Sequence, residues 1–179
     1  MKRRMPRQRP GTSEQNVATP WPVIRAAERK LHISSFCWDL AADATNQKVS
    51  GHDLCTVQRR YFTEADDALT QDWLATSDDW EYAGTPWNWL NPPFARLNRW
   101  MEKCVTEAAR GAHTAILVPS SSGSRWYRDW VHGYGYVLHL SGRVTFEGHT
   151  KPYPKDLDLI LYTPWGANGS DVWPWREEP

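Results

Sequence analysis

The segment Trp87-Asn88-Trp89-Leu90-Asn91-Pro92-Pro93-Phe94 decides how the rest of the chain is organised. Its first four residues predict a short apolar strand. That strand must end at Asn91, because the two prolines have no N–H to donate to a sheet. Each proline also drives the residue before it toward extended geometry. The segment therefore predicts a stiff turn at the end of a strand, which is where open α/β sheets bind their ligands.

This turn offers two hydrogen-bond acceptors, the side-chain oxygen of Asn91 and the backbone oxygen of Pro92. Two acceptors aimed at one point suit an –NH2 group, because holding both hydrogens frees the nitrogen lone pair for attack. Phe94 can stack on the flat ring that carries the amine. Asn-Pro-Pro-Phe therefore looks like the amine-methylating motif of S-adenosylmethionine-dependent methyltransferases. The alternative is an ordinary Pro-Pro loop, since short motifs also match by chance.

The composition fits one globular domain, with 179 residues of which 40% are hydrophobic. No apolar run reaches the roughly 18 residues of a membrane span, and no apolar segment follows the basic N-terminus. We therefore expect a cytoplasmic protein that does not enter a membrane. Cys37, Cys55 and Cys104 are odd in number and widely spaced, which predicts reduced thiols and argues against a metal site.

The charge of the chain is uneven. The first ten residues hold five basic side chains and no acid: Lys2, Arg3, Arg4, Arg7 and Arg9. Because the whole chain is neutral, the remainder carries a net charge of −5. Residues 1–18 predict a flexible arm that precedes a single domain over residues 19–179. A basic arm fits contact with phosphates, and a solvated tail without a partner is the alternative.

Two segments precede the central turn. Thr19 and Pro20 predict a helix start, with Thr19 as N-cap, and the helix runs to about Leu31. Residues 36–43 then predict an apolar strand that is interrupted by Asp39. A carboxylate at the end of a strand can bind an amino group of a cofactor, and a cap or turn carboxylate is the alternative.

A helix is predicted over residues 95–110, because its apolar residues share one face and Gly111 can end it. It connects the central strand with a buried apolar strand at residues 113–119, which makes a βαβ unit with a right-handed crossover. Three further strands are predicted, at residues 136–140, 143–146 and 157–162. The tail from Thr163 is assigned no structure.

Several short motifs follow one another in a distinctive order. They are Thr19-Pro20, the segment 39–44, Tyr61 to Glu64 with Asp66-Asp67 and Asp72-Trp73, the tetrad 91–94, Leu117 to Pro119 with Trp126, and Gly142 to Phe146. This order resembles the phage-encoded DNA N6-adenine methyltransferases over about residues 19–162. The order of the motifs is more specific than any one of them.

The resemblance implies an α/β fold, the Rossmann-like sandwich of S-adenosylmethionine-dependent methyltransferases. Its sheet would be mostly parallel with an antiparallel terminal hairpin. The implied activity is site-specific methylation of the exocyclic N6 amine of adenine in double-stranded DNA, as in restriction-modification, on a base flipped out of the duplex. A phage enzyme of this kind would work in the host cytoplasm. The sequence leaves monomer and dimer open.

The resemblance also implies roles for individual residues. The catalytic tetrad would be Asn91, Pro92, Pro93 and Phe94. Thr19 and Asp39 would lie at the methionine end of S-adenosylmethionine, and Asp66 or Asp67 nearer its adenine. The full set of expected cofactor-binding residues is Thr19, Pro20, Asp39, Ala41, Asp43, Asp66 and Asp67. DNA contacts are expected from the arm and two loops, through Lys2, Arg3, Arg4, Ser124, Arg125, Trp126 and Lys151.

The sequence departs from the family pattern in three ways. The Gly-rich loop of most methyltransferases is missing, and the polar insert 74–86 leaves the register of the acidic motif open. No sizeable target-recognition domain is visible, so we expect a short or degenerate target sequence. The alternatives are methylation of RNA or of protein glutamine, which also offer a planar –NH2, and a non-catalytic DNA-binding protein on the same scaffold.

Overall fold

The computed structural model describes residues 17–49, 60–77 and 84–176. Its helices are α1 (Trp21–Leu31), α2 (Leu97–Arg110) and α3 (Arg125–Trp130). Its strands are β1 (Trp38–Asp39), β2 (Trp87–Leu90), β3 (His113–Pro119), β4 (Tyr136–Leu140), β5 (Leu157–Tyr162) and β6 (Gly169–Trp173). Short 3₁₀ turns occupy Glu64–Asp66, Ala75–Ser77 and Phe94–Arg96. The predicted DNA-contacting residues Lys2, Arg3 and Arg4, as well as Cys55, lie outside the described residues.

The strands form one sheet in the order β1-β2-β3-β5-β4-β6. β1, β2 and β3 pair in parallel, β5 is antiparallel to both β3 and β4, and β6 pairs in parallel with β4. Of the six strands in the described residues, five therefore run in one direction and β5 runs in the other. This mixed α/β sheet confirms the predicted fold class. The antiparallel pair of β4 and β5 does not end the sheet, as a terminal hairpin would, because β6 adds a further strand beyond β4.

The sheet is covered by helices on both faces, and β3 shows why. All seven of its residues are buried. Ala115 and Leu117 belong to the apolar cluster that contains α1, whereas Ile116 and Val118 belong to the cluster that contains α2. Successive side chains of a strand point to opposite faces, so a fully apolar strand requires a covering layer on each side.

Two predicted features of the C-terminal part are wrong. Residues 143–146 form no strand; Val144 and Phe146 are buried and anchor a loop, in which the Val144 carbonyl accepts a hydrogen bond from Tyr153 N at 2.8 Å. The tail from Thr163 contains β6, of which only Trp173 is buried. An edge strand with exposed side chains pairs through its backbone and carries no burial pattern that a sequence could reveal.

The start of α1 also differs from the prediction. The helix begins at Trp21, Pro20 holds the N-cap position, and Pro22 lies in the first turn, where an N–H has no helical partner to lose. The prediction of Thr19 as the N-cap is therefore wrong. The Thr19 hydroxyl is instead buried, without a hydrogen bond to any residue in the described ranges.

The predicted strand 36–43 is reduced to the two residues of β1. Its backbone nevertheless pairs on both sides over a longer stretch. Cys37 N and Leu40 N donate to the carbonyls of Trp87 and Trp89 in β2, at 2.8 and 2.9 Å. On the other side, Asp39 forms an isolated parallel bridge with Tyr61. β1 is thus held between β2 and the segment after residue 60, which fixes Asp39 in the sheet.

No helix within residues 17–49, 60–77 and 84–176 is long and apolar enough to cross a membrane. Those residues also contain no group of three or more His, Cys, Asp or Glu side chains that could hold a metal ion. Cys37 and Cys104 are free and buried. Burial raises the pKa of the Cys37 thiol to about 12 and raises that of Cys104 as well.

Candidate active site

A cavity of about 1060 Å³ opens at the carboxyl ends of β1 and β2. Ligand-binding pockets typically span about 300–1,000 Å³, so this cavity has room for a large ligand. Its wall carries these polar side chains: Thr19, Asp39, Asp43, Asn46, Lys48, Thr63, Glu64, Asp67, Asn91, Arg96 and Arg99. The cavity therefore brings together residues from the N-terminal segment, β1, the acidic 3₁₀ turn and the tetrad.

Asn91 lies directly after β2 and lines the cavity. Its Nδ2 donates to the Val17 carbonyl at 2.8 Å. A carbonyl can only accept, so this contact fixes which end of the amide faces Val17. Asn91 Oδ1 is buried and accepts no hydrogen bond from the described residues. A buried acceptor without a partner costs about 1–3 kcal/mol, so Asn91 Oδ1 is available to a donor on a ligand or to water.

The other members of the tetrad differ in position. Pro93 lines the cavity and is exposed, whereas Pro92 is buried and is not part of the cavity wall. Phe94 is half-buried and packs against both core clusters. Its ring meets Tyr153 edge-on, with 5.9 Å between the ring centroids. Phe94 is not part of the cavity wall, and its predicted stacking role stays a prediction.

Asp39 is a buried carboxylate on the cavity wall, 2% exposed. Its Oδ1 accepts from Ala41 N at 3.3 Å and its Oδ2 from Lys48 N at 2.9 Å. Burial raises the pKa of Asp39 to about 7, against the lowering effect of these two hydrogen bonds. No basic side chain in the described ranges forms an ion pair with it. The arrangement is suited to a ligand that brings its own positive charge.

The remaining predicted cofactor residues separate into two groups. Thr19, Ala41 and Asp43 line the cavity, and Pro20 does not. Asp43 also builds the turn that follows β1, because its Oδ1 accepts from Thr45 N at 2.7 Å and from Asn46 N at 3.0 Å. The carboxylate of Asp43 thus shapes the cavity wall through the backbone.

Asp66 and Asp67 are adjacent in sequence but have different surroundings. Asp66 Oδ2 accepts from Thr63 N and from Thr63 Oγ1, each at 2.7 Å, and so caps the 3₁₀ turn. Asp66 is not part of the cavity wall. Asp67 follows in a left-handed conformation with φ 45° and lines the cavity. Of the two, only Asp67 is placed to meet a ligand.

A family model described as DNA N-6-adenine-methyltransferase (Dam) matches residues 9–157 of the chain. The chain belongs to the DNA N-6-adenine-methyltransferase family. The matched region includes all the residues that line the cavity, and the match confirms the family predicted from the order of the motifs. A comparison with curated proteins found no match. Membership in the Dam family implies methylation of adenine in DNA.

The side chains of this Dam-family cavity that sequence reasoning missed include Lys48, Arg96, Arg99 and Trp100. Lys48 is 4% exposed, and its Nζ pairs with Glu147 Oε2 at 2.8 Å. The sequence around Lys48 is polar and irregular and does not indicate this ion pair, because the partner is 99 residues away. Arg96, Arg99 and Trp100 follow the tetrad at helical spacing, and that spacing could have revealed their shared face.

The four loop residues that were predicted to contact DNA differ in their burial and in their contacts. Ser124 caps α3, since its Oγ accepts from Tyr127 N at 3.4 Å and donates to the Ser121 carbonyl at 2.7 Å. Trp126 is half-buried and packs against the cluster around α2. Arg125 and Lys151 are exposed. In this Dam-family protein, Ser124 and Trp126 therefore hold the loop in place, and Arg125 and Lys151 are accessible.

Proposed function

We propose that this Dam-family protein transfers a methyl group from S-adenosylmethionine to the N6 amine of adenine in double-stranded DNA. Family membership supports adenine in DNA as the substrate. The observation that carries the proposed chemistry is the buried Asn91 Oδ1, which has no hydrogen-bond donor in the described residues although Nδ2 is anchored to Val17.

In the proposed mechanism Asn91 Oδ1 accepts one hydrogen of the adenine amine. As the second acceptor we assign the Pro92 carbonyl, although Pro92 does not line the cavity in the free protein. These contacts hold the nitrogen with its lone pair directed at the methyl donor. S-adenosylmethionine, when bound, supplies an electrophilic methyl group on a sulfonium. Positioned acceptors in a water-poor site are worth more than in water, because they need no reorganisation as charge develops on the nitrogen.

The residues of the cavity fit the cofactor. Asp39 is a buried carboxylate that forms no ion pair among the described residues, so it suits the ammonium of the methionine part. The Thr19 hydroxyl is buried, lacks a hydrogen bond in the described ranges and lies on the same wall, so it can pair with a polar group of that part. Asp67 lines the cavity from the acidic turn, and we assign it to the adenosine part.

The proposal is tested by incubating the purified protein with S-adenosylmethionine and plasmid DNA that lacks adenine methylation, and reading methylation base by base. Parallel reactions contain RNA and a glutamine-containing protein. We expect N6-methyladenine at a short recurring sequence in the plasmid only. Methylation of RNA or protein alone would overturn the choice of substrate. Binding of DNA without any methyl transfer would support the non-catalytic alternative.

A further inference from the structure

Two arginines stand at the mouth of the cavity immediately after the tetrad. Arg96 ends the 3₁₀ turn and Arg99 lies in the first turn of α2, so their three-residue spacing puts them on one face. Both line the cavity and both are exposed. Within residues 17–49, 60–77 and 84–176, neither forms a hydrogen bond, an ion pair or a ring contact.

The cavity wall carries charges of both signs, and its exposed charged side chains are two acids, Glu64 and Asp67, and the two arginines. The wall carries four acidic side chains: Asp39, Asp43, Glu64 and Asp67. The third basic side chain of the wall, Lys48, is buried and already paired with Glu147. Among the described residues, the two arginines are therefore the only positive charges of this wall that remain available to an anion.

Acidic side chains repel phosphates. A nucleotide whose base enters such a cavity must therefore keep its phosphates outside. A flipped nucleotide rotates about its backbone, so its flanking phosphates stay at the mouth while the base goes in. Arg96 is five residues from Asn91, on a segment stiffened by Pro92 and Pro93. Guanidinium groups bind phosphate through paired N–H donors, which fixes orientation as well as charge.

We propose that Arg96 and Arg99 bind the DNA phosphates that flank the flipped adenine, and so hold the target strand at the cavity mouth. This inference rests on the proposed function of the same cavity. It adds a phosphate-binding site to the base-binding residues, and it places that site on the helix that directly follows the tetrad.

The test compares DNA affinity at several salt concentrations for the wild type, Arg96→Gln, Arg99→Gln and the double variant. Each lost phosphate contact lowers the slope of log affinity against log salt by about 0.9 on duplex DNA, or about 0.7 on a single strand. We expect the double variant to lose about 1.4–1.8 units of slope. Arg96→Lys with Arg99→Lys keeps the charge and retains most of the slope.

The matched control is Arg29→Gln, which removes an exposed arginine of α1 that does not line the cavity. It leaves the slope unchanged. An unchanged slope in the double glutamine variant overturns the inference. So does a loss of S-adenosylmethionine affinity with an unchanged slope, since the arginines would then hold the cofactor carboxylate.

Plasmid methylation by the wild type separates the two proposals. If the wild type methylates plasmid adenine and the double variant keeps its slope, the phosphate site is wrong and the proposed function stands. If the wild type transfers no methyl group to DNA, the proposed function is wrong, whatever the salt slopes of the variants show. Thermal unfolding confirms that each variant is folded, and a double variant that unfolds is replaced by the two single variants, each with an expected loss of about 0.7–0.9 units.

Discussion

At the scale of single residues, the orientation of the Asn91 amide depends on one hydrogen bond to a backbone carbonyl far away in the sequence. An amide side chain can present either its oxygen or its nitrogen to a ligand. The Val17 carbonyl accepts from Nδ2 and so leaves Oδ1 as the end without a partner among the described residues. The chemistry proposed for Asn91 therefore requires both its place after β2 and the path of the N-terminal segment.

We predict that Asn91→Ala lowers the rate of methyl transfer by on the order of 100-fold or more, because one positioned acceptor of the amine is lost. The variant should unfold at nearly the wild-type temperature. Asn98→Ala removes an exposed asparagine from α2 and serves as the control. Turnover in Asn91→Ala within a few-fold of that of the control would show that the tetrad is not the amine-binding site.

A second prediction concerns Asp39 and pH. Burial raises the pKa of this carboxyl to about 7, so it gains a proton as pH falls through 7 and can no longer pair with the ammonium of the cofactor. We expect S-adenosylmethionine affinity to fall by about tenfold per pH unit between pH 6.5 and 5. Calorimetric titrations across this range measure the effect.

The same raised pKa acts in the opposite direction on the folding stability of the free protein, which falls as pH rises. A carboxyl with a raised pKa binds its proton more tightly in the folded than in the unfolded state, so its contribution to stability is lost as pH rises toward 7. Lower pH should thus weaken binding of the cofactor, and at the same time it should increase the folding stability of the free protein. An affinity that does not change between pH 5 and 7 would show that Asp39 does not meet the cofactor ammonium.

At the scale of elements, the turn after β1 and the N-terminal segment line the cavity, and the loop after β4, which does not line it, connects the two. Lys48 links the turn to this loop, since its N–H donates to Asp39 and its Nζ pairs with Glu147 at 2.8 Å. Glu147 N in turn donates to the Ala18 carbonyl at 3.0 Å. The loop after β4, the turn after β1 and the N-terminal segment are thereby tied together around the predicted cofactor site.

We predict that Glu147→Gln weakens S-adenosylmethionine binding by about threefold to fivefold, the effect of a partly exposed ion pair worth up to about 1 kcal/mol. Lys48 would keep a buried charge without its partner and displace the backbone that holds Asp39. Adding Lys48→Met should restore part of the lost stability, since the unpaired charge is removed.

Asp156→Asn is the control for this loop, because its exposed side chain is 3.7 Å from Arg143 and touches no part of the cavity wall. Calorimetry and thermal unfolding of all four proteins measure the effect. Equal affinity in Glu147→Gln and Asp156→Asn would mean that the ion pair does not position the cofactor site.

At the scale of the whole molecule, five parallel strands direct their carboxyl ends to one edge of the sheet. The cavity lies there, beside the ends of β1 and β2, while α1 and α2 cover opposite faces. The proposed phosphate-binding arginines and the exposed Arg125 and Lys151 add positive charge to a body with an acidic cavity wall. Long-range attraction to DNA would then depend strongly on the basic arm.

We predict that deleting residues 1–10 lowers DNA affinity and reduces its dependence on salt. If all five basic side chains of the arm meet phosphates, the slope of log affinity against log salt falls by about 4–5 units. Replacing the five with glutamine, at unchanged length, separates charge from chain length. A slope equal to that of the wild type in both variants would identify the arm as a solvated tail.

The sequence alone determined the features that arise from local chemistry. Two prolines after an apolar strand require a stiff turn at Asn91, whatever the rest of the chain does. The helical spacing of apolar residues after Phe94 and the unbroken apolar run of β3 predict the βαβ unit, because each pattern is repeated within a few residues. The family followed from the order of such local motifs.

Only the tertiary structure decided which groups meet. Asn91 and Val17 are 74 residues apart, and Lys48 and Glu147 are 99 residues apart, so no local pattern could pair them. Asp66 and Asp67 have the same chemistry, and the backbone conformation alone turns one into a cap and the other toward the cavity. The physical reason is that a periodic pattern reports which face of an element is buried, whereas long-range contacts depend on how the elements pack.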